Sequence, residues 1–126
     1  MDGWRFGCVL CIEVRFPESF QRYAALGVDC ILFSAYADDA MFGIHAQGYT
    51  ASHSYWVSVS VPTQMSYGLS SRLVALTGEV QTMATPSASG VIDDLVDEQC
   101  PRMEGALQRA KPWRAKARDG AIYRHR

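Results

Sequence analysis

Trp4-Arg5-Phe6-Gly7-Cys8-Val9-Leu10-Cys11-Ile12-Glu13-Val14-Arg15-Phe16-Pro17-Glu18 is the stretch that decides the fold. Its first nine residues are nearly all apolar and are closed by charge at Glu13, so residues 4–12 read as a short buried strand. Pro17 suits the first position of a helix, where its missing N–H is no loss, and Glu18 complements the positive end of that helix. Phe20, Tyr23 and Ala24 continue at helical spacing, and Gly27 supplies the stop. Cys30-Ile31-Leu32-Phe33 reads as a second buried strand. Strand, helix and strand in that order predict a parallel pair with a right-handed crossover.

Working outward, residues 34–42 read as a loop and residues 43–53 as a helix weakened by Gly48. Tyr55 to Val61 alternates large and small side chains and reads as a strand ended by Pro62. Leu69 to Leu76, the Thr77-Gly78 turn and Val80 to Ala84 predict a hairpin. Gly90-Val91-Ile92 begins one more strand, and Pro101 to Arg109 predicts a helix that Pro112 ends. The class is α/β. The chain divides into a body, 1–110, and a basic C-terminal tail, 111–126.

A chain of 126 residues and 14.0 kDa fits one domain. At 48% apolar and 20% charged it can build a core and is not a disordered chain. No apolar run approaches the roughly 20 residues of a membrane helix, and no leader pattern opens the chain, so the reading is no membrane and a cytoplasmic location. The net charge of −1 hides an asymmetry. Ten of the twelve basic residues are Arg, and the two lysines are Lys111 and Lys116. Residues 102–126 carry +6 and residues 1–101 carry −7.

Cys8 and Cys11 form a C-x-x-C, but a zinc site needs two further ligands at workable spacing, and Cys30, Cys100 and the three histidines do not supply a paired motif. Alternation along a strand also sends Cys8 and Cys11 to opposite faces. A cysteine at the C-terminal end of a buried strand, just before a turn into a helix, is where α/β proteins place reactive groups. The Ile12 backbone N–H can there face a developing oxyanion. Arg15 can pair with Glu18 or hold a substrate carboxylate. The plainer reading makes Cys11 a small core residue and Arg15 a structural ion-pair partner.

The segment Gly7-x-x-Leu10-Cys11-Ile12-Glu13-Val14-Arg15-Phe16-Pro17-Glu18 closely resembles the nucleophile motif of the carbon–nitrogen hydrolase (nitrilase) superfamily. The likeness continues through Ala24-x-x-Gly27-Val28-Asp29-Cys30-Ile31-Leu32-Phe33, returns at His53-Ser54-Tyr55-Trp56-Val57 and Gly68-x-Ser70 with Thr77-Gly78, and ends on Ala110-Lys111-Pro112-Trp113-Arg114 and Arg118-x-Gly120-x-Ile122-Tyr123. It covers nearly the whole chain but about the C-terminal half of the family domain.

The resemblance implies part of an α-β-β-α sandwich, doubled across a homo-oligomer. It implies hydrolysis of non-peptide C–N bonds in amides, nitriles or carbamoyl compounds, with a small-molecule amide or nitrile as substrate and no metal or organic cofactor. Cys11 matches the nucleophile and Ile12 the oxyanion N–H. Arg15 matches a position that contacts a substrate carboxylate or is structural. Tyr36, with Asp38 and Asp39, falls in a loop that lines the family's pocket. The family also uses a glutamate base and an oxyanion-stabilising lysine that precede the cysteine. The ten residues before Cys11 contain neither. A thiol with no base or cation beside it stays largely protonated at neutral pH. Acid–base assistance is worth about 10²–10⁴-fold and an oxyanion donor about 10²–10³-fold. The expectation is therefore a hydrolase-family chain that is inactive by itself, with a non-catalytic interaction or dimerisation module as the alternative.

His45 and His53 lie eight residues apart, able to share a helix face, and read as surface or hydrogen-bonded histidines. The basic tail lacks an aromatic-interleaved platform. It reads as lying on the chain's own acidic body or a partner subunit, with no nucleic acid bound.

Overall fold

The computed structural model describes residues 3–88, 90, 94 and 96–120. In chain order the elements are strand β1 (Phe6–Leu10), a 3-10 turn (Cys11–Arg15), helix α1 (Pro17–Ala25), β2 (Cys30–Ser34), α2 (Ala40–His53), β3 (Trp56–Ser60), a second 3-10 turn (Thr63–Met65), β4 (Arg72–Val74), β5 (Val80–Met83), α3 (Pro101–Gly105), a π-helical turn (Ala106–Ala110) and α4 (Lys111–Arg118). The five strands form one mixed sheet in sequence order: β1, β2 and β3 run parallel, and β4 and β5 return antiparallel. The expected parallel pair and hairpin are both present. The expected strand at Gly90-Val91-Ile92 lies largely outside the described residues.

Alternation sets the two faces. Val9, Ile31, Phe33, Val57, Val59 and Val74 point to one side and pack with Phe20 of α1 and Phe42 and Ala46 of α2. This helix–sheet layer is the main core. On the other side Cys30, Trp56 and Leu73 pack under Met103 of α3, with Trp4, Ala106 and Leu107 around them. That second cover stops short, leaving Phe6, Cys8, Leu10 and Leu32 exposed. The indole Nε1 of Trp56 has no hydrogen-bond partner among the described residues.

The outer edge of β1 is closed by side chains. The Tyr23 hydroxyl donates to the Cys8 carbonyl at 2.7 Å and lies 3.3 Å from the Cys8 amide, and the Glu13 carboxylate accepts the Leu10 N–H at 2.7 Å. The Cys8 N–H and C=O and the Leu10 N–H, which would otherwise template another strand, are thereby occupied. Gly7 is required here, because a Cβ would meet the Tyr23 ring at 2.8 Å.

The strands are shorter than the sequence reading, with β1 starting at Phe6, β3 spanning Trp56–Ser60 and β4 only Arg72–Val74, and three further differences have a local cause. The first strand ends at Leu10, because Cys11 turns out of it with a positive φ. Helix α2 begins at Ala40, since the Asp39 side chain accepts the Met41 N–H at 2.8 Å and caps it. Pro112 does not end the C-terminal helix. It sits in the first turn of α4, following the π turn, where a wider turn relieves the proline ring's clash with the carbonyl four residues back.

Candidate active site

The site is built on the register of the parallel strands. Leu10, Ser34 and Ser60 are aligned across β1, β2 and β3, so Cys11, Ala35 and Val61 each follow a strand end at the same level. Side chains at this rim face the crevice beyond the strand ends, where α/β sheets place ligands. Ser34, Ala35, Tyr36, Ser60, Val61 and Pro62 line an open cleft of about 450 Å³ there.

Cys11 holds φ at +44°. An L-residue in left-handed backbone costs on the order of 1–3 kcal/mol and persists where the surroundings impose it. Three contacts impose it. The Glu13 carboxylate reaches back to the Leu10 N–H and closes the turn across Cys11. The Tyr49 hydroxyl donates to the Val14 carbonyl at 2.8 Å, and the Val14 side chain is fully buried. Arg15 pairs with Asp39 at 3.0 Å and lies 5.5 Å over the Phe42 ring. The Arg15 partner is therefore Asp39 and not Glu18, because the 3-10 turn aims Arg15 at the start of α2. Cys11 is half-buried and packs on the same apolar cluster as Ala37, Tyr49 and Val61. Ile12 is the second residue of the turn, so its N–H has no carbonyl of the turn to pair with. Its side chain is 55% exposed.

The fold thus brings Cys11, Ile12 and Arg15 together on one 3-10 turn. Tyr36 lies beyond the end of the neighbouring strand, 63% exposed on the cleft, and Cys11 is not among the residues lining that cleft. Cys8 points to the opposite, open face of the sheet. Among the described residues no group of three or more His, Cys, Asp or Glu gathers as a metal site.

No family model matches the sequence, and no curated protein does. Solved structures do. The Nit3 protein of Saccharomyces cerevisiae, of branch 10 of the nitrilase superfamily, superposes with a TM-score of 0.67 at 21% identity over 85% of this chain and 41% of its own. The NitN amidase of Nesterenkonia gives 0.63 at 20% identity, over 84% of this chain and 46% of its own. A glutamate-to-glutamine variant of the Nesterenkonia amidase, carrying the acetamide moiety of fluoroacetamide on its active-site cysteine, gives 0.57 at 19% identity over 67% and 35%. The chain has the nitrilase-superfamily fold. It spans less than half the length of these structures.

Within this partial nitrilase fold, the two histidines of α2 do different work. His45 stacks on Tyr49 with ring centroids 5.9 Å apart. His53 is buried at the end of α2, beside Tyr55. Burial lowers its pKa to about 4, with the Arg118 and then the Arg114 guanidinium adding to the effect. Arg118 approaches His53 Nδ1 at 3.4 Å and Arg114 donates to Ser54 Oγ at 2.9 Å, so α4 docks on the end of α2 with a neutral imidazole beneath it. Cys30 is inert by the same physics, its thiol pushed up to about 11 chiefly by burial. Asp39 and Tyr49 are the site residues that sequence reading assigned no such role. An N-cap signal before Ala40 marks Asp39. Nothing local marks Tyr49, whose partner lies 35 residues away.

Proposed function

We propose that this chain carries the nucleophile portion of a carbon–nitrogen hydrolase site. The observation that carries it is the left-handed Cys11 at the C-terminal end of β1, held there by its own turn and by α2. A cysteine on such an elbow projects its thiol beyond the sheet while the next amide faces the same space. In the proposed reaction the Cys11 thiolate adds to the carbon of an amide, nitrile or carbamoyl group. The Ile12 N–H stabilises the charge forming on the substrate. Arg15 anchors the turn, and Tyr36 contributes the cleft wall. The covalent acetamide on the cysteine of the Nesterenkonia amidase supports an amide as substrate class. Four free cysteines support a reducing compartment, the cytoplasm.

The 126 residues are expected to turn over amides or nitriles little by themselves. The Glu13 carboxylate is engaged at Leu10, and both lysines lie on α4, which docks at Ser54 and His53. A thiol-alkylating reagent is expected to label Cys11 well before Cys8 or Cys30; equal or absent labelling of Cys11 in the folded chain overturns the nucleophile reading. Robust turnover abolished by Cys11→Ala would overturn the expectation of low activity.

A second reading is supported by the open sheet face. Phe6, Leu10 and Leu32 are 41%, 62% and 43% exposed beside Cys8, a contiguous apolar surface on adjacent strands. It makes the chain an interaction or dimerisation module, in which partners meet that face while the β1 edge stays closed by Tyr23 and Glu13. A clean, stable monomer by light scattering would count against it.

A further inference from the structure

We propose that Tyr49 is a positioning residue of the Cys11 elbow: its phenol, through the Val14 carbonyl, holds the backbone N–H of Ile12 where an oxyanion forms. The inference rests on the reading of Cys11 as a nucleophile. A five-residue 3-10 turn has few hydrogen bonds of its own, and this one begins with a left-handed cysteine. It needs support from outside. The Arg15–Asp39 pair gives some, but both side chains are more than 40% exposed, and exposed pairs hold geometry weakly. The Tyr49 contact is of another kind. Its hydroxyl donates to Val14 O at 2.8 Å. Its ring stacks on buried Phe20 with centroids 3.7 Å apart and planes 10° apart, and it also meets His45. Phe20 belongs to the helix that follows the turn, so one side chain of α2 grips the turn and the element after it. Burial, and then the Glu18 carboxylate, raises the Tyr49 pKa, which keeps the phenol a donor at neutral pH.

The role predicts a selective effect. With p-nitrophenyl acetate, the Cys11 thiol first loses its proton to solvent. The thiolate then adds to the ester carbon, the carbonyl oxygen takes the negative charge, and collapse expels p-nitrophenolate to leave an acetyl thioester. With iodoacetamide, the thiolate displaces iodide at a saturated carbon and no oxyanion forms. Both reactions are followed on the full chain by peptide mass mapping, with Cys8 as internal control. Tyr49→Phe keeps the stacked ring and removes the donor. It is expected to slow acetylation of Cys11 about fivefold, the worth of one ordinary hydrogen bond, while iodoacetamide alkylation of Cys11 stays within twofold of the parent. Equal acetylation in variant and parent overturns the inference. So does an equal fall with both reagents, which marks general loosening. A parent chain whose Cys11 acetylates no faster than Cys8 instead overturns the nucleophile reading beneath it. Should Tyr49→Phe fail to fold by circular dichroism, 4-aminophenylalanine at position 49, which keeps the stacked ring and replaces the hydroxyl with a weaker donor, carries the comparison with the same two reagents.

Discussion

The two faces of the sheet are made by the same strands, yet they are finished differently. Val9, Ile31, Phe33, Val57 and Val59 are at most 1% exposed under α1 and α2. One residue along each strand, Leu10 and Leu32 are 62% and 43% exposed. Burial is therefore decided by what lies over a face, and the helices α1 and α2 cover one side completely while α3 and the π turn cover part of the other. The candidate elbow is anchored on the sealed side, where Val14, Phe20 and Tyr49 fix it. A strained backbone needs such a setting, because only a packed core supplies contacts strong enough to oppose relaxation.

The contrast between the faces can be broken by mutation. The largest effect is expected from Phe20→Ala, which empties a fully buried site under the sheet and should cost about 3–5 kcal/mol in urea denaturation. A loss below about 1 kcal/mol would show that the sealed face is loosely packed. Acid should act next. His53 is neutral in the fold down to about pH 4, whereas in the unfolded chain it titrates near 6.5. Between those values the unfolded state binds the extra proton, so stability is full above pH 6.5 and falls as pH drops toward 4, by on the order of 3 kcal/mol at the end of the window. Urea midpoints at pH 7 and pH 4.5 measure it, and His53→Gln should flatten that part of the curve.

Gly7→Ala pushes a methyl against the Tyr23 ring and should cost about 1–3 kcal/mol, with faster amide exchange along the β1 edge. The smallest stability effect belongs to the open face. Leu10→Ser with Leu32→Ser should change the unfolding free energy measured in urea by less than about 0.5 kcal/mol per site. The same pair should lower self-association in light scattering. A large destabilisation would mean that this face is covered, and would erase the contrast.

Much of this layout is legible along the chain. The apolar run to Leu10, Pro17 as a helix opener and the alternation at Tyr55 to Val61 each encode a local preference, and β1, α1 and β3 follow them. The Thr77-Gly78 turn gave the hairpin for the same reason. Boundaries were harder. Asp39 starts α2 three residues earlier than the apolar pattern suggests, since capping is a side-chain hydrogen bond and not a periodicity. Pro112 reads locally as a helix end, whereas the π turn that precedes it, with Ala106 and Leu107 packed on the second core cluster, lets the helix continue. At the site, Cys11, Ile12 and Arg15 are neighbours in sequence and could be nominated together. The partner of Arg15 could not, because Asp39 and Glu18 are both reachable carboxylates and only the direction of the turn selects between them.

The strand and helix preferences and the cysteine at a strand end are written in the chain, since each depends on residues within a few positions of one another, and the parallel start of the sheet follows from the strand–helix–strand order. The tertiary structure alone decided three things: that Cys11 is held left-handed, that Tyr49 reaches Val14 across 35 residues, and that one face of the sheet is sealed while its neighbour stays partly open. These depend on contacts between distant segments, and such contacts have no local signature because their energy exists only once the core that aligns them has formed.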